Sequence, residues 1–208
     1  MSGFNKPLPL VNPASSTKSL TWVELQQHAA AGILRPWLGG FTEIPPAGRA
    51  LYMTGDVYEK YQVSPWPMTM PQTPRGMRER RTAMKAVLRR YVSGGHMNIR
   101  YDLKELGSES INTQMQGFWE FRSGPPIEQT RLFGFFARPG AFVATSFRAR
   151  GELEANGNQS AHDPWANERV LAETTWQALF PNHKYLCEPW PAMTQESLNF
   201  YLDNAHAN

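Results

Sequence analysis

Between residues 117 and 150 the chain reads GFWEFRSGPPIEQTRLFGFFARPGAFVATSFRAR, three runs in which bulky apolar residues alternate with polar ones. Alternation at period two places every second side chain on one side of a strand. It predicts strands over about 117–123, 130–137 and 141–149, joined by turns at Gly124-Pro125-Pro126 and Arg138-Pro139-Gly140. Upstream the period lengthens. In RGMRERRTAMKAVLRRYV, residues 75–92, Met77, Met84, Val87, Leu88 and Tyr91 form one helical stripe with arginines on the other side, and Gly94-Gly95 ends the helix. MNIRYDLKELG, which follows, reads as a strand or a short helix. Downstream, Asp163 as cap and Pro164 at the first position open a helix that carries Trp165, Val170, Leu171, Thr174 and Leu179 and stops at Pro181. A last helix over about 194–202 lies on something apolar through Leu198, Phe200 and Tyr201.

The first third of the chain is patterned differently. Residues 1–18 carry Pro7, Pro9, Pro13 and a Ser-Ser-Thr cluster, the composition of an arm without fixed structure until it docks. Thr21 and Glu24 have the spacing of a capping box, so a helix is predicted over about 21–32, ended by Gly32. Residues 36–76 hold seven prolines among Trp37, Tyr52, Tyr58, Tyr61 and Trp66. Regular structure is expected to be brief there, with one short helix near 54–61. Aromatic residues at that density imply packing on a core rather than a free linker. The expected architecture is therefore α+β: a small antiparallel sheet with flanking helices over 75–185, an irregular Pro/Trp-rich extension over 1–74 packed on it, and a helical tail over 186–208.

Composition narrows the chemistry. A chain of 208 residues can bury a core without staples, and its single cysteine, Cys187, cannot pair internally. No apolar run approaches the roughly 18 residues of a membrane span and no signal-like start is present, so a soluble cytoplasmic protein is expected. Asn158-Gln159-Ser160 fits the glycosylation pattern but has no secretory context to give it weight. His28, His96, His162, His183 and His206 are scattered, Ser146 is not flanked by glycines, and Gly39-Gly40 and Gly94-Gly95 lack a following Lys-Ser/Thr, so neither metal nor cofactor is expected.

The net charge of +3 is unevenly spread. Arg75, Arg78, Arg80, Arg81, Lys85, Arg89, Arg90 and Arg100 stand against the single acid Glu79 within residues 75–100, whereas residues after Cys187 include acids and no Lys or Arg. Such a segment suits a polyanion, with Arg81, Lys85 and Arg89 as nucleic-acid contacts, or else a solvated helix face. A second group lies on the strands. Alternation puts Glu120 and Arg122 on one face and gathers Arg148 and Arg150 with them, and a hairpin brings Arg131 close to Arg122. Guanidinium groups collected on one sheet face are either a phosphate-reading surface or strand-end arginines paired with Glu120 and Glu152. The tryptophans read as core more than as a stacking platform.

These motifs carry a family likeness. DLKELGSE, GFWEFR and TRLFGFFARPGAFVATSFRAR, in that order, resemble the core of RelE-like toxins, in particular the phage-derived HigB-like branch. Leu103, Leu106 and Gly107 match the lead-in, Trp119-Glu120-Phe121-Arg122 the first strand, Arg131-Leu132-Phe133 the second, and Phe147-Arg148-Ala149-Arg150 the end of the third. The resemblance implies a small α+β fold and a metal-independent endoribonuclease that cuts mRNA, commonly on the ribosome, by attack of the ribose 2′-hydroxyl, with an antitoxin protein as partner. It implies Arg122 and Arg131 on the scissile phosphate, Glu120 as a base, Arg148 and Arg150 on neighbouring RNA, and His183 or Tyr185 as acid or base. Two alternatives stand beside it. One is a non-catalytic phage or mobile-element interaction module of the same fold. The other is a DNA-binding regulator using helix 75–92, which requires Arg78, Arg81, Lys85 and Arg89 to face outward together.

Overall fold

The computed structural model describes residues 18–63, 66–69, 73–106, 115–124, 128–157, 164–188 and 194–203, without the side chains of 155–157. Nearly all of the expected N-terminal arm, Gly107, Pro125-Pro126, Asn158-Gln159-Ser160 and the Asp163 cap lie outside the described residues. The elements run α1 (Trp22–Ala30), β1 (Leu34–Pro36), β2 (Ala50–Thr54), α2 (Gly55–Gln62), α3 (Pro74–Val92), β3 (Leu103–Glu105), β4 (Trp119–Arg122), β5 (Thr130–Arg138), β6 (Ala141–Ala149), α4 (Arg150–Gly157), α5 (Pro164–Leu179) and α6 (Gln195–Leu202).

The three predicted strands are β4, β5 and β6, and they form the antiparallel meander. The sheet does not stop there. It has six strands in the order β1-β2-β6-β5-β4-β3, and β2 joins β6 in parallel, so it is mixed and larger than expected. The N-terminal segment is therefore not an irregular layer laid on a finished core: β1 and β2 complete the same sheet. Leu51, Tyr52 and Met53 are buried at its interior, and their short run between Gly48 and Gly55 gives too little length for a period to show.

Both faces of the sheet are covered. On one, Trp119, Phe121, Leu132, Phe136, Phe142 and Phe147 pack against α2, α3 and α6. On the other, Phe118, Phe133, Phe135 and Val143 pack against Leu25 of α1 and Ala172 and Trp176 of α5. β5 explains this, because Leu132-Phe133 and Phe135-Phe136 are apolar on both sides of the strand, the pattern of a sheet sandwiched between layers. Ring pairs extend through both layers, with Tyr91 5.0 Å from Phe121 on one side and Phe135 stacked 4.1 Å from Tyr185 on the other. Each such pair adds about 0.5–1.5 kcal/mol beyond the area it buries.

Helix ends follow the sequence signals. Thr21 and Glu24 form the predicted capping box, Thr73 caps α3 with Pro74 at its first position, and Thr194 caps α6. Arg49 joins two helix ends: its Nε donates to Leu202 O at 2.8 Å and its Nη1 to Gly95 O at 2.9 Å, just beyond the end of α3.

Simple alternation fails at one point in β6. Phe133 pairs with Ser146 and Gly134 with Ala144, so Thr145 is extra and the strand bulges there. The bulge reverses the facing of all that follows. Phe147 joins Phe142 and Ala144 on the α3 side, and Ser146 and Arg148 turn to the α5 side. Gly134 permits the close approach, since a Cβ there would overlap the Val143 carbonyl oxygen and lie 2.9 Å from Ala144 Cα. Gly134→Ala is expected to destabilise the fold by about 3 kcal/mol, read as a lower urea midpoint at unchanged slope.

Candidate nucleic-acid interface

Two groups of basic residues were expected to meet nucleic acid, and the fold treats them oppositely. The bulge in β6 and the register Arg122↔Arg131↔Arg148 bring the strand arginines together on the α5 side of the sheet. Arg150 is adjacent but opens α4 instead of ending a strand, because Glu152 and Glu154 follow it and Glu152 accepts the Ala149 N–H at 3.0 Å.

Within this group charge is neutralised. Glu120 holds Arg122 Nε at 3.0 Å and Arg131 Nε at 3.1 Å. The second contact is an ion pair without the alignment of a hydrogen bond. Arg131 is satisfied elsewhere by Gln129 Oε1 at 2.6 Å and the Thr130 carbonyl at 3.1 Å, and Arg150 Nη1 reaches the same Gln129 oxygen at 3.0 Å. Arg148 Nε donates to Glu168 of α5 at 3.1 Å, where Ser146 Oγ also donates. Arg150 pairs with Glu154 at 2.6 Å. Burial pushes the Glu120 carboxyl up against the pull of Arg131, Arg122, Lys104 and Arg150. Burial likewise pushes Arg131 down to about 10, with Glu120 opposing.

Exposure decides what this group can do. Glu120 and Arg131 are each 1% exposed. In this arrangement Glu120 and Arg131 form a buried ion pair within the sheet, and neither is presented at the surface as a base or a phosphate clamp. Arg122, with its side chain 24% exposed, donates to the Arg100 carbonyl at 2.8 Å and keeps only an edge in solvent. Arg148 and Arg150 are half-buried and engaged by carboxylates.

The remaining acid/base candidates sit apart from this group. His183 Nε2 lies 3.1 Å from Glu24 Oε1, beyond the C-terminal end of α5. Glu24 itself is held down at about 2, chiefly by the Thr21 backbone and side-chain donors of the capping box. Tyr185 receives a hydrogen bond from Arg169 at 2.8 Å and donates to Glu173 at 2.5 Å, and burial pushes its pKa up. Among the described residues no cluster of His, Cys, Asp and Glu is arranged to hold a metal ion.

Helix α3 presents the other basic group. Arg78, Arg81, Lys85 and Arg89 follow one another at intervals of three, four and four residues, so they occupy roughly a quarter of the helix circumference. Arg78, Lys85 and Arg89 are exposed and Arg81 is half-buried. Two are held in place by rings: the Arg81 guanidinium lies 5.4 Å from the Trp66 ring and that of Arg89 5.2 Å from Phe41. Among the described residues, none of the four has a carboxylate partner, whereas every arginine of the sheet group has one. The helix departs from its sequence pattern at Arg80. That residue is 1% exposed on the apolar side, where Nη2 donates to Pro67 O at 2.6 Å and Nη1 stands 3.5 Å from Glu128.

Sequence reasoning did not find Glu168, which lies 20 residues from Arg148 with nothing local to mark it. It also gave Glu105 no role. Glu105 is buried, accepts the Gly117 N–H at 2.6 Å, and is raised to about 7 by burial, with that N–H and Arg169 opposing. A carboxyl raised in the folded state binds more protons folded than unfolded between the unfolded value of 4.5 and about 7, so folding stability declines as pH rises through that window. Urea unfolding at pH 5 and pH 8 is expected to show this loss in the wild type and its absence in Glu105→Gln. Glu120→Gln leaves Arg131 buried without a counter-charge and is expected to cost about 3–5 kcal/mol. Arg75→Gln, which breaks a pair whose arginine side chain is 83% exposed, serves as the control and should cost under about 1 kcal/mol.

Compared with protein-family models, curated proteins and solved structures, the chain matches none, so the likeness to RelE-like toxins rests on its sequence motifs.

Proposed function

We propose that this protein binds RNA along the exposed basic side of α3, and that it acts there by binding rather than by cleavage at the sheet group. The observation that supports this reading is the contrast in pairing. Among the described residues Arg78, Arg81, Lys85 and Arg89 have no carboxylate to give up before meeting a phosphate, and two of them are already oriented by aromatic rings. A cation in this state gains counterion release on contact with a nucleic-acid backbone and has no internal ion pair to break. Cleavage of mRNA, as RelE-like toxins perform it, would need Glu120 and Arg131 at the surface, and both are sealed. Ribosome-bound mRNA and an antitoxin partner follow from the resemblance alone, and nothing in the α3 surface calls for either.

Fluorescence anisotropy with a labelled RNA over a range of salt concentrations tests the reading. Four phosphate contacts on a single strand give a slope of log affinity against log salt of about −3. Combining Arg78→Gln, Lys85→Gln and Arg89→Gln is expected to weaken binding at low salt by at least about tenfold and to flatten the slope by about 2. Affinity that does not change with salt would sink the proposal, and a preference for duplex DNA over RNA would turn it toward a DNA-binding regulator.

A further inference from the structure

Beside the α3 ridge is a cleft of about 510 Å³, within the range of roughly 300–1,000 Å³ usual for small-ligand sites. Its lining comes from three elements of the chain. α2 and the segment after it supply Tyr58, Tyr61 and Trp66, the segment after β1 supplies Trp37, Gly39 and Gly40, and α3 supplies Arg81, Thr82 and Lys85. The aromatic part is a fixed assembly. Tyr61 lies 6.0 Å from Trp37 and 5.2 Å from Trp66, and Trp66 Nε1 donates to the Tyr61 carbonyl at 2.8 Å. These three rings are seated in the core and present limited surface, whereas Tyr58 is half-buried. Arg81 is fixed over Trp66 and donates to the Val63 carbonyl at 3.2 Å, and Lys85 is exposed.

The third wall is a tight turn. Gly39 and Gly40 have φ of +65° and +94°, and Phe41 N donates to Leu38 O at 3.0 Å. Successive positive φ values are open to glycine, and a side chain at Gly39 would meet the Trp37 ring at 3.0 Å. Among the described residues the N–H groups of Gly39 and Gly40 have no acceptor. Among the described residues no carboxylate lines the cleft.

We propose that this cleft takes one unstacked nucleobase of single-stranded RNA, with the base against Tyr58 and the aromatic wall and its phosphate at Lys85 and Arg81. The proposal rests on the reading of α3 as the RNA-binding face. It adds that the face selects single strands, because a base paired in a duplex keeps both faces stacked and cannot enter. Aromatic grooves also suit proline-rich peptides. Two cations beside an aromatic wall, with no carboxylate among the described lining residues, favour an occupant that is anionic as well as flat, and a nucleotide is both.

The test uses the full chain and a single-stranded RNA with 2-aminopurine at one position, whose fluorescence is quenched when the base stacks. Quenching on binding is expected, with single-strand affinity above that for the matching duplex. Tyr58→Ala should weaken single-strand binding about tenfold and leave duplex binding unchanged. Thr82→Trp, at an exposed position of α3 that lines the cleft, is expected to fill it and should abolish quenching while salt-sensitive binding persists. Equal affinity for single strand and duplex with no quenching overturns the base pocket and leaves RNA binding by α3 standing. Absence of any salt-sensitive RNA binding overturns both, as does binding of an acidic proline-rich peptide that Thr82→Trp blocks when RNA does not bind.

Discussion

The central strands β5 and β6 are apolar on both faces, and the rest of the molecule is arranged to satisfy that constraint. Phe133 and Phe135 point one way and Leu132 and Phe136 the other, so a single layer of helices would leave large rings in water. Cover has to come from α2, α3 and α6 on one side and from α1 and α5 on the other. The same constraint draws β2 alongside β6, since an apolar β6 left as an edge would expose unpaired backbone groups. The Pro-rich first third of the chain is thereby part of the sheet.

Polar groups are placed by what this packing leaves over. At the end of the sheet toward α4 and α5 the layers close over Glu120 and Arg131, and charges taken out of water must be paired there. Glu120 answers Arg122 and Arg131, Glu168 answers Arg148 and Glu154 answers Arg150, so these arginines form a structural network. On α3 the opposite holds. Arg75 and Arg90 pair with Glu79 and Asp102, but among the described residues Arg78, Arg81, Lys85 and Arg89 have no carboxylate partner. Ion pairing thus separates two groups of arginines that composition cannot tell apart.

Much of the fold was legible. The three-strand meander, α3 and the capped α1 and α6 follow from period, capping residues and prolines, whereas α5 occurs where predicted but buries Glu168, Ala172 and Trp176 and leaves Val170 and Leu171 exposed. β1 and β2 were not legible, because three and five residues carry no period and Pro36 argues against a strand unless it lies at an edge. The facing of Arg148 came from the bulge at Thr145, which depends on how close Gly134 lets β6 approach. Of the candidate site, the basic side of α3 could be read from spacing alone. The cleft beside it could not, since Trp37, Tyr58 and Trp66 reach α3 from three separate stretches of chain.

The sequence by itself determined the meander of β4, β5 and β6, the helices α1, α3 and α6, and that two clusters of arginine exist. Those are matters of local backbone preference and covalent order. Tertiary structure alone decided that Arg131 is buried and Arg78 is not, that Glu168 answers Arg148, and that Pro36, Trp37 and Trp66 from the first third wall a cleft against α3. Burial and ion pairing depend on which distant segments arrive at the same place, and no local pattern records that arrival.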